Sequence, residues 1–112
     1  ALLPMLRVSQ DASIVFTTSG VSVRGRAYGG AYAAAKFAVE GLMQVLADET
    51  DTATSIRVNS VTPGGIRTSM RAKAFPGEVP ETLPTPESVL GPFLYLLGPD
   101  GRGTTGRRFD AQ

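Results

Sequence analysis

Between residues 12 and 65 the chain changes its period twice, and that change limits its fold more than any single residue does. Ala12-Ser13-Ile14-Val15-Phe16-Thr17-Thr18 is a short run rich in β-branched and aromatic residues, and Ser19-Gly20 ends it. Such a run reads as a buried strand. From Ala31 to about Asp48 the spacing becomes helical. Ala31, Ala35, Ala38, Leu42, Val45 and Ala47 fall close to one stripe, and Ala34, Phe37, Gly41 and Leu46 occupy a second side. A helix apolar on two sides packs against two things. Ser55 to Val61 then alternates and stops at Pro63-Gly64-Gly65, as a second strand ending in a turn would. Strand, long helix, strand is the pattern of parallel strands joined by a crossover helix.

The flanks extend that pattern. Residues 1–8 read as the last turns of a helix, although Pro4 sits poorly in a helix interior. Residues 66–84 are rich in proline and glycine, with Met70 and Phe75 as apolar anchors, and predict a long loop with one short helix. Loops of that length in a small domain tend to carry function. Thr85-Pro86-Glu87 predicts a helix start, with a hydroxyl cap, a proline at the first position and an acid in the first turn. Val89, Leu90, Phe93, Leu94 and Leu97 give that helix one apolar face, and Gly98-Pro99 stops it. Arg107 to Asp110 reads as a last short strand. The order is β-α-β-α-β within a single α/β domain covering residues 1–112.

Composition narrows the chemistry. There is no cysteine and no histidine. Disulfides, thiolate or histidine nucleophiles and soft-metal sites are therefore excluded, and the carboxylates show no calcium-loop spacing, so no metal is expected. The net charge of +1 gives no general pull on nucleic acid. Arg102, Arg107 and Arg108 form a small basic cluster without an aromatic platform for bases. No apolar stretch is long enough for a membrane span, and ALLPMLRVSQ has no secretory pattern, so a cytoplasmic location is the expectation. Any proton carrier must be Tyr, Lys, Asp or Glu.

Two motifs compete for attention. Gly101-Arg102-Gly103-Thr104-Thr105-Gly106 spells G-x-G-x-x-G. A dinucleotide loop of that form must follow a strand and open a helix. Here it follows a helix near the end of the chain, so it reads as a turn entering the last strand. Tyr32-Ala33-Ala34-Ala35-Lys36 is the stronger signal. Residues four apart share a helix face, and an ammonium beside a phenol favours the phenolate. Such a tyrosine exchanges a proton with an alcohol or carbonyl oxygen. Ser19, at the carboxyl end of the first strand, is placed to hydrogen-bond the same oxygen, and the Pro63-Gly64 turn leaves the second strand at the same end.

These residues, in this order, resemble the short-chain dehydrogenase/reductase family. In that family a serine precedes the tyrosine of Tyr-x-x-x-Lys by about this interval, and a strand ending in Asn-x-x-x-Pro-Gly follows. Here they are Ser19, Tyr32, Lys36 and Asn59-Ser60-Val61-Thr62-Pro63-Gly64. The resemblance spans nearly the whole chain. Ala47-Asp48-Glu49, Pro63 to Thr68, and Thr105-Gly106 with Phe109-Asp110-Ala111-Gln112 are similar to the YciK-like bacterial oxidoreductases.

The resemblance implies the C-terminal half of a Rossmann-type doubly wound parallel sheet. The glycine-rich N-terminal dinucleotide-binding half is not matched, nor is the family's asparagine from the helix before Ser19; Asn59 is the only asparagine present. It implies an NAD(P)-dependent enzyme that interconverts an alcohol and a carbonyl, with NADP favoured over NAD. Tyr32 is then the proton carrier, Lys36 its activator and the holder of the nicotinamide ribose, and Ser19 the orienter of the substrate carbonyl. Tyr32, Lys36, Pro63, Gly64, Ile66 and Thr68 border the cofactor, and residues 68–84 form the substrate loop. The implied partners are a small-molecule alcohol or carbonyl and further copies of the chain, assembled through the helix at 31–48. The isolated chain is expected to be inactive, with the edge of its first strand open. The alternative is a non-catalytic fragment or paralogue that uses that edge and the small-residue helix to pair with a complete subunit.

Overall fold

In the computed structural model of this chain, which describes residues 1–52 and 54–112, the two apolar runs pair directly with each other. β1 (Ala12–Thr17) lies parallel to β2 (Ile56–Thr62), with Ala12 opposite Ile56 and Thr17 opposite Val61. β3 (Arg108–Asp110) adds in parallel on the far side of β2, Ser60 opposite Arg108. The sheet order is therefore β1-β2-β3. β2 is buried along its whole length, whereas β1 and β3 lie at the edges. The strands begin and end within one residue of where the sequence places them.

Successive residues of a strand face opposite sides of a sheet, and the two sides are covered by different helices. Ala12, Ile56 and Val58 pack with Met43 and Ala47 of α2 (Gly30–Asp51), which carries the chain from β1 to β2. Leu3 and Leu6 of α1 (Leu3–Val8) add to that cluster. On the other side the Ser13 hydroxyl donates to the Leu96 carbonyl at 2.7 Å, and Arg57 donates to the same carbonyl at 3.1 Å. Leu96 belongs to α4 (Gly91–Leu97) and is fully buried. Helices on both faces of a parallel sheet make this the doubly wound arrangement that the resemblance implies.

Three expectations need correction. Of the two apolar sides of α2 expected to pack, the first is mostly exposed: Leu42 and Val45 are 61% and 56% accessible, and Ala31, Ala35 and Ala38 also face outward. The buried stripe is Glu40, Met43, Ala47 and Thr50, of which only Ala47 was on either predicted side. The polar members are accommodated by hydrogen bonds, Thr50 to the Leu46 carbonyl and Glu40 to the Ser60 hydroxyl. Residues 86–97 do not form one helix. A 3-10 turn at Pro86–Val89 gives way at Leu90 to α4, because Pro92 lacks the N–H an interior position would need and fits only a first turn. The Thr85 hydroxyl makes no cap bond, and Leu96 replaces Leu90, Leu94 and Leu97 as the anchor of α4. Pro4, finally, sits in the first turn of α1 and not in its interior.

The chain is elongated. Its extents are 48 × 28 × 22 Å and its radius of gyration is 15.5 Å, against about 13 Å for a compact domain of this length. No helix of the described residues is long and apolar enough to cross a membrane.

Candidate active site

The parallel register brings two loops to one edge of the sheet. Thr17 pairs with Val61, and the Thr18 amide donates to the Val61 carbonyl at 2.9 Å. Ser19 and Pro63 each lie two residues beyond that pair, so both leave the carboxyl ends of neighbouring strands. In open α/β sheets that is where ligands bind. Ser19 is half-buried and extended, and it caps the 3-10 turn Gly20–Ser22. Its hydroxyl oxygen accepts from the Val21 amide at 3.4 Å, which leaves the hydroxyl proton available to donate.

α2 starts beside this edge. Its first turns bring Lys36 back against the strand, and the ammonium donates to the Thr17 carbonyl at 3.1 Å. One helical turn earlier, the Tyr32 ring lies with its centroid 5.8 Å from the Lys36 nitrogen. Tyr32 remains 45% accessible, open to a molecule arriving from solvent. An ammonium has three donors, so the bond to Thr17 leaves two. The structure thus joins Tyr32, Lys36 and the end of β1. Among the described residues no hydrogen bond links Ser19 to Tyr32 or Lys36; what unites them is the shared strand end.

The strip after β2 is shaped by its backbone. Gly64 has φ +79, in the left-handed region where a side chain is strained, and a Cβ there would also run into Gln112. The Gln112 amide donates to the Pro63 and Gly65 carbonyls at 2.6 and 3.1 Å, pinning the turn from behind. Ile66 is half-buried. Thr68 is extended and caps α3 (Ser69–Ala74), its oxygen accepting from the Arg71 amide at 3.1 Å. Its hydroxyl proton is likewise left to donate. Free hydroxyl protons, an ammonium with donors to spare and a backbone bare of a Cβ form a donor set suited to the carboxamide and ribose hydroxyls of a nicotinamide nucleotide.

The 68–84 loop is built and not slack. Arg71 grips Glu78 through Nε and Nη2, at 2.7 and 2.9 Å, and its guanidinium stacks 3.9 Å from the Phe75 ring centre. The pairing with Arg71 holds the Glu78 carboxyl below the usual carboxylate range and raises Arg71 in turn. A second short turn, Pro80–Thr82, follows.

Several residues shape this edge in ways the sequence did not indicate. Arg108, in the basic cluster, donates to Ser22 at 3.2 Å and to Thr62 at 3.0 Å, so it ties the loop after Ser19 to the end of β2. Arg102 is paired with Asp11. Asn59 is fully buried and clamps the glycine-rich turn: its amide donates to the Thr104 carbonyl at 2.8 Å and its oxygen accepts from the Arg107 amide at 3.1 Å. The G-x-G-x-x-G string is accordingly the turn into β3, as its context predicts. Tyr28 has φ +65 and a fully exposed ring, four residues before Tyr32; non-glycine residues held in that region are strained and concentrate at functional sites.

Comparison with known proteins gives the family and the fold. A family model described as short chain dehydrogenase matches residues 1–79. The uncharacterized oxidoreductase YciK of Escherichia coli is 55% identical over all 112 residues, which make up 44% of its length. A solved short chain dehydrogenase from Pseudomonas syringae superposes on the whole chain with a TM-score of 0.97 at 54% identity, and the chain covers 45% of it. A short chain dehydrogenase from E. coli CFT073, solved in complex with NADPH, gives a TM-score of 0.95 at 55% identity, with 46% of that chain covered. The chain therefore spans under half the length of the relatives it matches.

Proposed function

The chain belongs to the short-chain dehydrogenase family, and from that premise we propose that the whole protein is an NAD(P)-dependent oxidoreductase interconverting an alcohol and a carbonyl, with this chain as its catalytic, substrate-side part. The observation that carries the reading is the Tyr32–Lys36 pair, 5.8 Å from ring centre to ammonium, fastened to the end of β1. Tyr32, with the Lys36 ammonium beside its ring, gives its proton to the carbonyl oxygen in reduction and takes it from the alcohol in oxidation. Ser19 donates its remaining proton to the same oxygen. Lys36, Pro63, Gly64, Ile66 and Thr68 hold the nicotinamide end of the cofactor, which supplies the hydride when bound. The relative solved with NADPH supports NADP over NAD.

The substrate is a small alcohol or carbonyl compound, covered by the 68–84 loop. Phe37, Leu42 and Val45 on the outer side of α2 are 47%, 61% and 56% accessible, and that apolar side supports assembly of further copies through this helix.

The test is Tyr32→Phe in the whole protein. The ring and its packing survive, and only the proton carrier is lost. Turnover falls by at least about a hundredfold, while NADPH binding by fluorescence titration stays close to wild type. Turnover within a few-fold of wild type refutes the assigned role.

A further inference from the structure

Beyond Tyr32 and its neighbours, one side chain ties this edge to a segment more than ten residues away, and nothing in the sequence announces that bond. Arg67 stands between Ile66 and Thr68, in the strip assigned above to the nicotinamide. Its amide donates to the Pro84 carbonyl at 2.9 Å. Its guanidinium donates to three more carbonyls of the same segment: Pro80 at 2.9 Å, Glu81 at 3.2 Å and Leu83 at 3.3 Å. One residue thus bonds four carbonyls of the five-residue stretch 80–84.

Among the described residues the Pro80 carbonyl also accepts from the Leu83 amide at 3.1 Å, and the Glu81 and Leu83 carbonyls meet no backbone donor. The stretch lies in no strand, and two of its five residues are prolines without an N–H. Backbone carbonyls that find no partner within the chain must be met by side chains or water. A guanidinium offers five donors in a rigid planar fork, which suits several carbonyls converging on one point. Arg67 closes the long excursion 68–84 at its base, where the outgoing and returning segments meet. Arg71 and Glu78 brace only the outgoing part, within α3 and the turn after it.

We propose that Arg67 is the positioning residue of the substrate loop: it fixes the returning segment 80–84 against the 63–68 strip, and so sets how closely the loop covers a bound substrate. This rests on the oxidoreductase reading for its functional half. The structural half stands on the hydrogen bonds alone. Because Ile66 and Thr68 flank Arg67, its bonds hold the strip that receives the cofactor in register with the loop that covers the substrate. Loss of the guanidinium removes the three side-chain bonds to Pro80, Glu81 and Leu83 and leaves only the residue 67 amide on the Pro84 carbonyl, while β2 and the strip keep their own supports, Gln112 behind Pro63 and Asn59 behind β2.

The experiment uses Arg67→Ala and Arg67→Lys in the whole protein, with amide hydrogen exchange read by mass spectrometry. In R67A the Thr82 and Leu83 amides, which bond the Val79 and Pro80 carbonyls, exchange about tenfold or more faster, and those of β2 keep the wild-type rate. Lysine keeps the charge and loses the fork, so R67K falls between the two. With NADPH and 4-nitrobenzaldehyde as the probe pair, R67A raises KM for the aldehyde several-fold more than it lowers kcat, and NADPH affinity is preserved. Unchanged exchange at Thr82 and Leu83 in R67A overturns the proposal, as does equal loosening of β2, wild-type exchange in R67K, or a fall in kcat with KM unmoved. Exchange is read without turnover. A wild-type protein that fails to oxidise NADPH therefore counts against the oxidoreductase reading while the exchange result still decides the role of Arg67.

Discussion

Asn59 offers the sharpest test of how β2 is held, because it is the only asparagine in the chain and is fully buried. Its two bonds run in opposite senses, a donor to the Thr104 carbonyl at 2.8 Å and an acceptor from the Arg107 amide at 3.1 Å. Each such bond contributes about 1 kcal/mol net, and each partner left stranded in the interior costs about 1–3 kcal/mol. Thr104 is half-buried and Arg107 exposed, so water recovers part of the loss on their side. Asn59→Ala in the whole protein should therefore cost about 2–4 kcal/mol. The assay is equilibrium urea unfolding at fixed protein concentration, where the midpoint drops at an unchanged slope. Asn59→Asp sharpens the test. The acceptor survives, but the donor is replaced by an oxygen facing the Thr104 carbonyl. Burial against that carbonyl raises the new carboxyl above the value near 3.9 it has when unfolded. The folded state then prefers the neutral acid, which can still donate. Stability of this variant is highest below about pH 4 and falls as the pH rises toward neutrality. A loss under about 1 kcal/mol for the alanine variant, or an aspartate variant indifferent to pH, refutes the clamp.

Other outcomes follow from single features. Gly101→Ala places a Cβ 2.6 Å from the Tyr95 carbonyl and 3.0 Å from Leu96 backbone atoms, none of which can yield, and overpacking of this kind lowers stability by about 1–3 kcal/mol in thermal unfolding. Asp11 is held below its ordinary value of 3.8, by its hydrogen bond to Arg57 first and that to Arg102 second. A depressed carboxyl contributes stability above its unfolded value and loses it as pH falls through the folded one. The gap between wild type and Asp11→Asn is therefore present near neutrality and closes in acid below about pH 3.8, as acid titration of the unfolding midpoint checks. The chain of 112 residues by itself, with β1 at an open edge, associates in sedimentation velocity; a clean monomer with a sharp, concentration-independent unfolding transition contradicts that.

What was legible in the sequence was local. The strand ends follow from short β-rich runs cut off by Ser-Gly and Pro-Gly-Gly, and both signals lie within a few residues of what they terminate. Tyr32 and Lys36 share a helix face because any helix through them puts residues four apart together. The staple at Arg67, the bridge at Arg108 and the clamp at Asn59 were illegible for the opposite reason. Each acts on backbone carbonyls, amides or hydroxyls between 13 and 86 residues away, and the identity of the receiving residue leaves no mark on the pattern. A carbonyl is present at every position, so nothing in the letters 80–84 says that an arginine will meet them.

The faces of α2 teach a different lesson. Apolar periodicity reports which side of a helix avoids water, and it does so without naming the neighbour. On α2 the side that meets the sheet carries Glu40 and Thr50 among Met43 and Ala47, and both polar groups are satisfied where they lie. The opposite side carries Phe37, Leu42 and Val45 in the open. The two apolar sides seen in the sequence both miss most of the face that meets the sheet, because hydrogen-bonding partners on β2 and within the helix itself make a partly polar stripe acceptable inside. A helix that keeps its larger aliphatic side chains for the surface away from its own sheet has two packing faces in its sequence and one in this chain. The helix that presents the Tyr32–Lys36 pair is therefore fixed on its inner side by hydrogen bonds to β1 and β2, at Thr17 and Ser60. The placement of Tyr32 depends on those polar contacts as well as on the Met43 and Ala47 packing, and not on the outward apolar stripe that first marked the segment as a helix.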